Sequence, residues 1–136
     1  RAACGRLHDA GFVLVSQSVL LKGVNDDVET LSDLMRAFVE LRIKPYYLHH
    51  PDLARGTSHF RVPLARGQEL MRHLRGRLSG LCQPTYMLDI PGGHGKAPVG
   101  PVFLESFDDD RATVTDFNGV THVYAPDIGS WERQSE

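Results

Sequence analysis

Pro84-Thr85-Tyr86-Met87-Leu88-Asp89-Ile90-Pro91-Gly92-Gly93-His94-Gly95-Lys96-Ala97-Pro98 is the stretch on which the reading of this chain turns. Residues 84–88 read as a strand, and three glycines within four positions then lead to a single lysine. Glycine has no Cβ, so such a segment can take positive φ and bring its backbone close to a bound group. Pro91 and Pro98 fix φ on either side and keep the segment out of helix. The expectation is a tightly specified loop that presents the amine of Lys96, with the carboxylate of Asp89 at its entrance. A phosphate-binding P-loop needs four residues between its first glycine and Gly-Lys, then Ser or Thr for magnesium. Gly93-His94-Gly95-Lys96 is too short for that, and Ala97 cannot ligate a metal. Two readings stay open: a plain surface turn, or an accessible lysine on a rigid support that forms a Schiff base with a carbonyl cofactor.

Upstream, residues 12–21 are apolar or β-branched at nearly every position, the pattern of a strand covered on both faces in a parallel sheet. Gln17 interrupts the run, and a buried amide there needs partners or a ligand. Gly23-Val24-Asn25-Asp26 reads as a turn, with Asn25 or Asp26 capping a helix over about residues 27–42. Val28, Leu31, Leu34, Met35, Phe38, Val39 and Leu41 form its apolar stripe. Residues 45–50 read as the second strand. Asp52 follows its C-terminal end, the rim at which parallel sheets and barrels place ligands. The connection over residues 51–62 is long for a βα loop, which hints at function. A second helix is predicted over about residues 64–78, closed by Gly80, with its arginines solvated. The order is βαβαβ with short connections, as in a right-handed parallel segment.

Past Lys96 the pattern changes. Residues 102–107, 112–117 and 120–124 read as short strands, joined at Asp108-Asp109-Asp110 and at the hairpin signal Asn118-Gly119. The expected fold is therefore α/β followed by a short antiparallel β-meander, divided as residues 1–101, a meander over 102–127, and a polar tail over 128–136. Residues 1–10 read as the end of a helix stopped at Gly11, as though the chain were a piece of something longer.

With 136 residues, 41% apolar and 24% charged, the chain has enough apolar side chains for one real core. A net charge of −2 with scattered basic residues argues against a nucleic-acid partner. No apolar run approaches the length of a membrane span, and no signal peptide is visible, so a cytoplasmic location is expected. Cys4 and Cys82 read as lone thiols. His49 and His50 are adjacent on a strand and point to opposite faces, so they do not share a metal.

With these residues in view, the chain resembles the C-terminal portion of the lysine 2,3-aminomutase family, radical S-adenosylmethionine enzymes that also use pyridoxal phosphate. The resemblance runs to about Val102 and rests on four stretches in order. They are Gln17-Ser18-Val19-Leu20-Leu21-Lys22-Gly23-Val24-Asn25-Asp26, Pro45-Tyr46-Tyr47, Asp52-Leu53 with His59-Phe60-Arg61, and Asp89-Ile90-Pro91-Gly92-Gly93-His94-Gly95-Lys96. It implies the C-terminal part of a partial parallel (β/α) barrel. It also implies that Lys96 holds pyridoxal phosphate, that Asp52 and Asp89 bind the distal ammonium of substrate L-lysine, and that Gln17 lies near the cofactors. Two carboxylates reaching one pocket would attract an ammonium. Glutamate-specific relatives replace those acids, so both aspartates favour a cationic amino acid.

The family's iron–sulfur cluster needs Cys-x3-Cys-x2-Cys, which is absent here. S-adenosylmethionine and a 4Fe-4S cluster are thus implied only for a full-length parent, expected to interconvert L-lysine and β-lysine and to form a homo-oligomer. These 136 residues alone are expected to be inactive. Some relatives hold a structural zinc with a cysteine where this chain has Asp27, and no cysteine follows Cys82, so no zinc is expected. The alternatives are a family member acting in elongation factor P modification, and a non-catalytic α/β binding module.

Overall fold

The computed structural model describes residues 1–107 and 111–125. The expected Asp108-Asp109-Asp110 turn and the polar tail lie outside the described residues. The chain divides into two compact units, Arg1–Pro101 and a second from Val102 onward.

The first unit runs α1 (Ala2–Asp9), β1 (Leu14–Val19), α2 (Val28–Glu40), β2 (Ile43–His49), α3 (Leu64–Arg77), β3 (Thr85–Asp89) and β4 (Lys96–Pro98). Its four strands form one sheet in the order β1-β2-β3-β4. The first two pairings are parallel and β3–β4 is antiparallel, so the sheet is mixed. The antiparallel return is new relative to the sequence reading, which left residues 89–98 as a loop.

Helix α2 starts at Asp27, whose side chain accepts the Thr30 N–H at 2.8 Å and satisfies one orphan donor of the first turn. The two residues expected to cap it are occupied elsewhere. Asn25 accepts the Leu21 N–H at 2.7 Å and donates to the Val19 carbonyl at 3.0 Å, folding the chain back after β1. Asp26 accepts the Gly23 N–H at 2.7 Å. Helix α3 ends before Gly80, which opens a separate 3-10 turn, Gly80–Cys82.

The core lies between the helices and one face of the sheet. Leu31 and Met35 of α2 and Leu70, Met71 and Leu74 of α3 pack with Leu20, Leu48 and Tyr86. Each such side chain contributes roughly 1.5–3 kcal/mol by leaving water. Gly67 lets α3 approach β3: a Cβ there would lie 2.0 Å from the Tyr86 hydroxyl oxygen.

The β1–β2 ladder contains a bulge. Ser16 pairs with Pro45 but Gln17 pairs with Tyr47, leaving Tyr46 as the surplus residue. Pro45 and Leu48 are therefore both buried although they stand three apart. The rings of Tyr46 and Tyr47 stack with centroids 3.9 Å apart instead of dividing between the faces. The expectation that the first strand is covered on both sides fails: Val13, Val15 and Val19 are exposed. Helices cover only one face, and β1 is the sheet's edge.

In the second unit β5 (Leu104–Phe107), β6 (Ala112–Thr115) and β7 (Thr121–Tyr124) form an antiparallel sheet in that order. Asn118-Gly119 makes the turn as expected, with Gly119 at φ 84°. The Asp116 carboxylate takes the N–H groups of Asn118 and Val120 at 2.8 and 3.0 Å. No helix among the described residues is long and apolar enough to cross a membrane.

Candidate active site at the strand ends

The glycine-rich segment is the turn of the β3–β4 hairpin. Gly92, Gly93 and Gly95 have φ of 91°, 81° and 87°, values that L side chains rarely adopt. The Ile90 N–H closes the turn on the Gly95 carbonyl at 2.9 Å. Asp89 and Lys96 stand directly opposite each other in the ladder, so Lys96 opens a strand and does not ride on a loop. Its Nζ donates to Asp89 Oδ1, with the lysine side chain 47% exposed and the aspartate 33%.

This pair is one end of a longer line. Asp89 Oδ2 meets His49 Nδ1 at 3.2 Å, and His49 Nε2 meets Gln17 Oε1 at 3.0 Å. The register explains why the four residues align. Gln17 pairs with Tyr47, two residues before His49; His49 pairs with Met87, two residues before Asp89. Each step moves two residues toward the strand ends and so stays on the same face. One residue from each of the four strands thus contributes to a single hydrogen-bonded row. The hydrogen bond from Lys96, followed by that from His49, holds the Asp89 carboxyl below the usual carboxylate range.

The helix side of the sheet carries a different pair. His50 Nδ1 meets the Tyr86 hydroxyl at 2.6 Å. Burial pushes the Tyr86 phenol well above its usual range and pulls His50 below the ordinary histidine value. The two histidines do point apart, as the strand reading required.

Asp52 lies three residues past β2, exposed, and makes no hydrogen bond or ion pair among the described residues. Gln17 is exposed and not buried, and its partner is the His49 ring. The described residues contain no group of three His, Cys, Asp or Glu side chains that could hold a metal. Chemically the row offers an accessible amine, an ionised carboxylate beside it, and an imidazole that fixes the carboxylate.

A family model described as Lysine-2,3-aminomutase matches residues 71–133. The chain is 44% identical over 126 residues to the L-lysine 2,3-aminomutase of Clostridium subterminale, covering 93% of this chain and 30% of that protein. Over nearly its whole length the chain is thus similar to one part of the L-lysine 2,3-aminomutases. It is 39% identical over 122 residues to the L-lysine 2,3-aminomutase of Bacillus subtilis strain 168, covering 90% of this chain and 26% of that protein. A glutamate 2,3-aminomutase of Clostridioides difficile strain 630 is 37% identical over 119 residues, covering 88% of this chain and 28% of that protein. The chain thus spans about 30% of the length of the first of these aminomutases.

Of the four site residues expected from the sequence, the hydrogen-bonded row joins Gln17, Asp89 and Lys96 and leaves out Asp52. The residue missed was His49. The sequence presents it as half of a histidine pair; in the structure it is the last residue of β2, next to the buried Leu48. A polar side chain at the end of a middle strand, with Gln17 two residues before the end of β1 and Asp89 closing β3, was the available signal.

Proposed function

We propose that this chain supplies the lysine-bearing strand ends of a lysine 2,3-aminomutase, and that its βαβαβ segment is the C-terminal part of a partial parallel barrel. The single observation that carries this reading is the Lys96–Asp89 pair at the sheet's rim, in a chain similar to these aminomutases. Lys96 fits a cofactor that attaches as an aldehyde. Its amine projects from the start of a short strand beside a glycine-rich turn and is nearly half exposed. Pyridoxal phosphate would be held there, and when bound it supplies the electrophilic carbon and conjugated ring through which the nitrogen moves.

The rest is done by this chain's own groups. Asp89 stays ionised and accepts from an ammonium; here that ammonium belongs to Lys96, which stands where a substrate's distal ammonium would be gripped once the lysine is engaged elsewhere. Asp52, exposed and unpaired on the loop after β2, is the second acid available to the same cation. Gln17 fixes the His49 ring at the end of the row away from Lys96. Asp89 in the row and Asp52 on the loop after β2, with no arginine in the row, favour L-lysine over glutamate as substrate. The Cys-x3-Cys-x2-Cys motif for a 4Fe-4S cluster is absent from these 136 residues, which alone should not turn over lysine.

The test is reductive trapping. Incubating the chain with pyridoxal phosphate, reducing with borohydride and mapping the peptides should place the pyridoxyl group on Lys96 in preference to Lys22 and Lys44. Equal labelling of the three would remove the assignment.

A further inference from the structure

We propose that His49 is a positioning residue for the Lys96 amine, acting through Asp89 and fastened by Gln17. The inference rests on the reading of Lys96 as the reactive amine, but its evidence is the row itself.

An ionised carboxylate can only accept, so His49 Nδ1 must carry a proton to meet Asp89 Oδ2 at 3.2 Å. That occupies one of the two carboxylate oxygens and leaves Oδ1 as the one that faces Lys96. On the far side of the ring, Gln17 meets Nε2 at 3.0 Å. Tyr47 stands edge-on to the ring with centroids 5.6 Å apart. The imidazole is thus held on three sides, and its side chain is only 13% exposed although the sheet face is open. An imidazole so fixed keeps the carboxylate from rotating, and the carboxylate fixes the position of the amine.

Gln17 suits this place for a specific reason. When Nε2 carries a proton, the amide oxygen accepts it; when Nε2 is bare, the amide can turn its NH2 toward it. The amide therefore fastens the ring in either protonation state, which no carboxylate or ammonium could do. The charged or titratable groups facing His49 are Asp89 from β3, Lys96 of β4 through Asp89, and Tyr47 on its own strand; β1 offers the neutral Gln17. A protonated His49 shares the negative charge of Asp89, so the Lys96 ammonium is held less firmly and its proton is lost more easily. A neutral His49 leaves the whole charge to Lys96.

Competitive labelling of the cofactor-free chain tests this. A limiting amount of acetic anhydride is applied at a series of pH values, and the peptides are mapped with Lys22 and Lys44 as internal references. Below its pKa an isolated amine labels about tenfold faster per pH unit. Lys96 should lag that slope over the part of the range in which His49 changes its charge, by a total of about threefold, the effect of one unit charge through largely aqueous surroundings. His49→Gln keeps an N–H donor but does not titrate. It should restore the full slope and label about threefold more slowly than wild type at the acid end, with no difference at the alkaline end. Asp89→Asn should abolish the lag altogether. Lys96 running parallel to Lys22 in wild type, or His49→Gln matching wild type throughout, would overturn the proposal. Should His49→Gln fail to fold, nitrogen NMR of the wild-type ring decides the same point. Nδ1 must be the protonated nitrogen at high pH; Nε2 protonation there would refute it. None of these outcomes depends on whether an aldehyde adds to Lys96, so they stand or fall apart from the trapping experiment.

Discussion

His49 and His50 are neighbours in the chain and opposites in setting. His50 turns to the helix side, where it meets the hydroxyl of the fully buried Tyr86. His49 turns to the open side, where it joins Gln17, Asp89 and Lys96. On the helix side the polar contact is isolated in a packed core, so it serves stability. On the open side the polar contacts run in a row with an exposed amine at its end, so they are free to serve chemistry. The sheet divides its labour by face, and one peptide bond separates the two roles.

The largest effect that would sharpen this contrast comes from the core side. Leu48 has no accessible surface, and Leu48→Ala should cost about 2–5 kcal/mol in urea unfolding by opening a cavity. Lys96→Met, on the other face, should shift the unfolding midpoint far less while ending pyridoxyl trapping at that position. If the two variants destabilised equally, the division by face would be wrong.

Gly67→Ala comes next. Its Cβ would collide with the Tyr86 ring, whose hydroxyl oxygen would lie 2.0 Å away, and forcing α3 outward should cost about 1–3 kcal/mol in the same measurement. Combining it with Tyr86→Leu, which removes the colliding atoms, should cost less than the sum of the two single changes.

The smallest effect is a pH dependence. Burial holds His50 below the ordinary histidine value of 6.5, so the unfolded chain binds the proton more readily. The stability contributed by neutral His50 is complete above that value and is lost as pH falls toward the depressed one in the folded chain. Asp89 acts in a lower window: its contribution is present above the ordinary carboxylate value of 3.8 and fades as pH falls below it. Unfolding midpoints measured from pH 8 to pH 3 should therefore decline in two stages, and His50→Gln should remove the upper stage alone. A single acid transition, unchanged in that variant, would contradict the assignment of His50 to the core side.

Much of the fold was legible because its signals are local. The stripe of Leu31 and Met35, the run around Leu48, and Asn118-Gly119 each declare an element within a few residues. The site was legible in part for the same reason: Asp89 and Lys96 flank one glycine turn. What stayed hidden depends on partners far away in sequence. Gly67 reads as an ordinary helix residue until Tyr86 is known to lie against it. His49 acquires its role from Gln17 and Asp89, which lie 32 and 40 residues away. The Asp27 cap was displaced by one residue because Asn25 was already committed to closing the preceding loop.

Tyr46, the surplus residue of β2, has one more effect. A strand of this sequence that kept strict alternation from Pro45 onward would turn Leu48 and His50 out to solvent and bury His49. The dislocation at Tyr46 resets the phase of everything after it, so that a greasy side chain returns to the interior and the right imidazole reaches the acid. Excising Tyr46 would leave that phase intact, since Tyr47 already stands opposite Gln17. The molecule should thus forgive the loss of an entire tyrosine there more readily than the gain of any single residue.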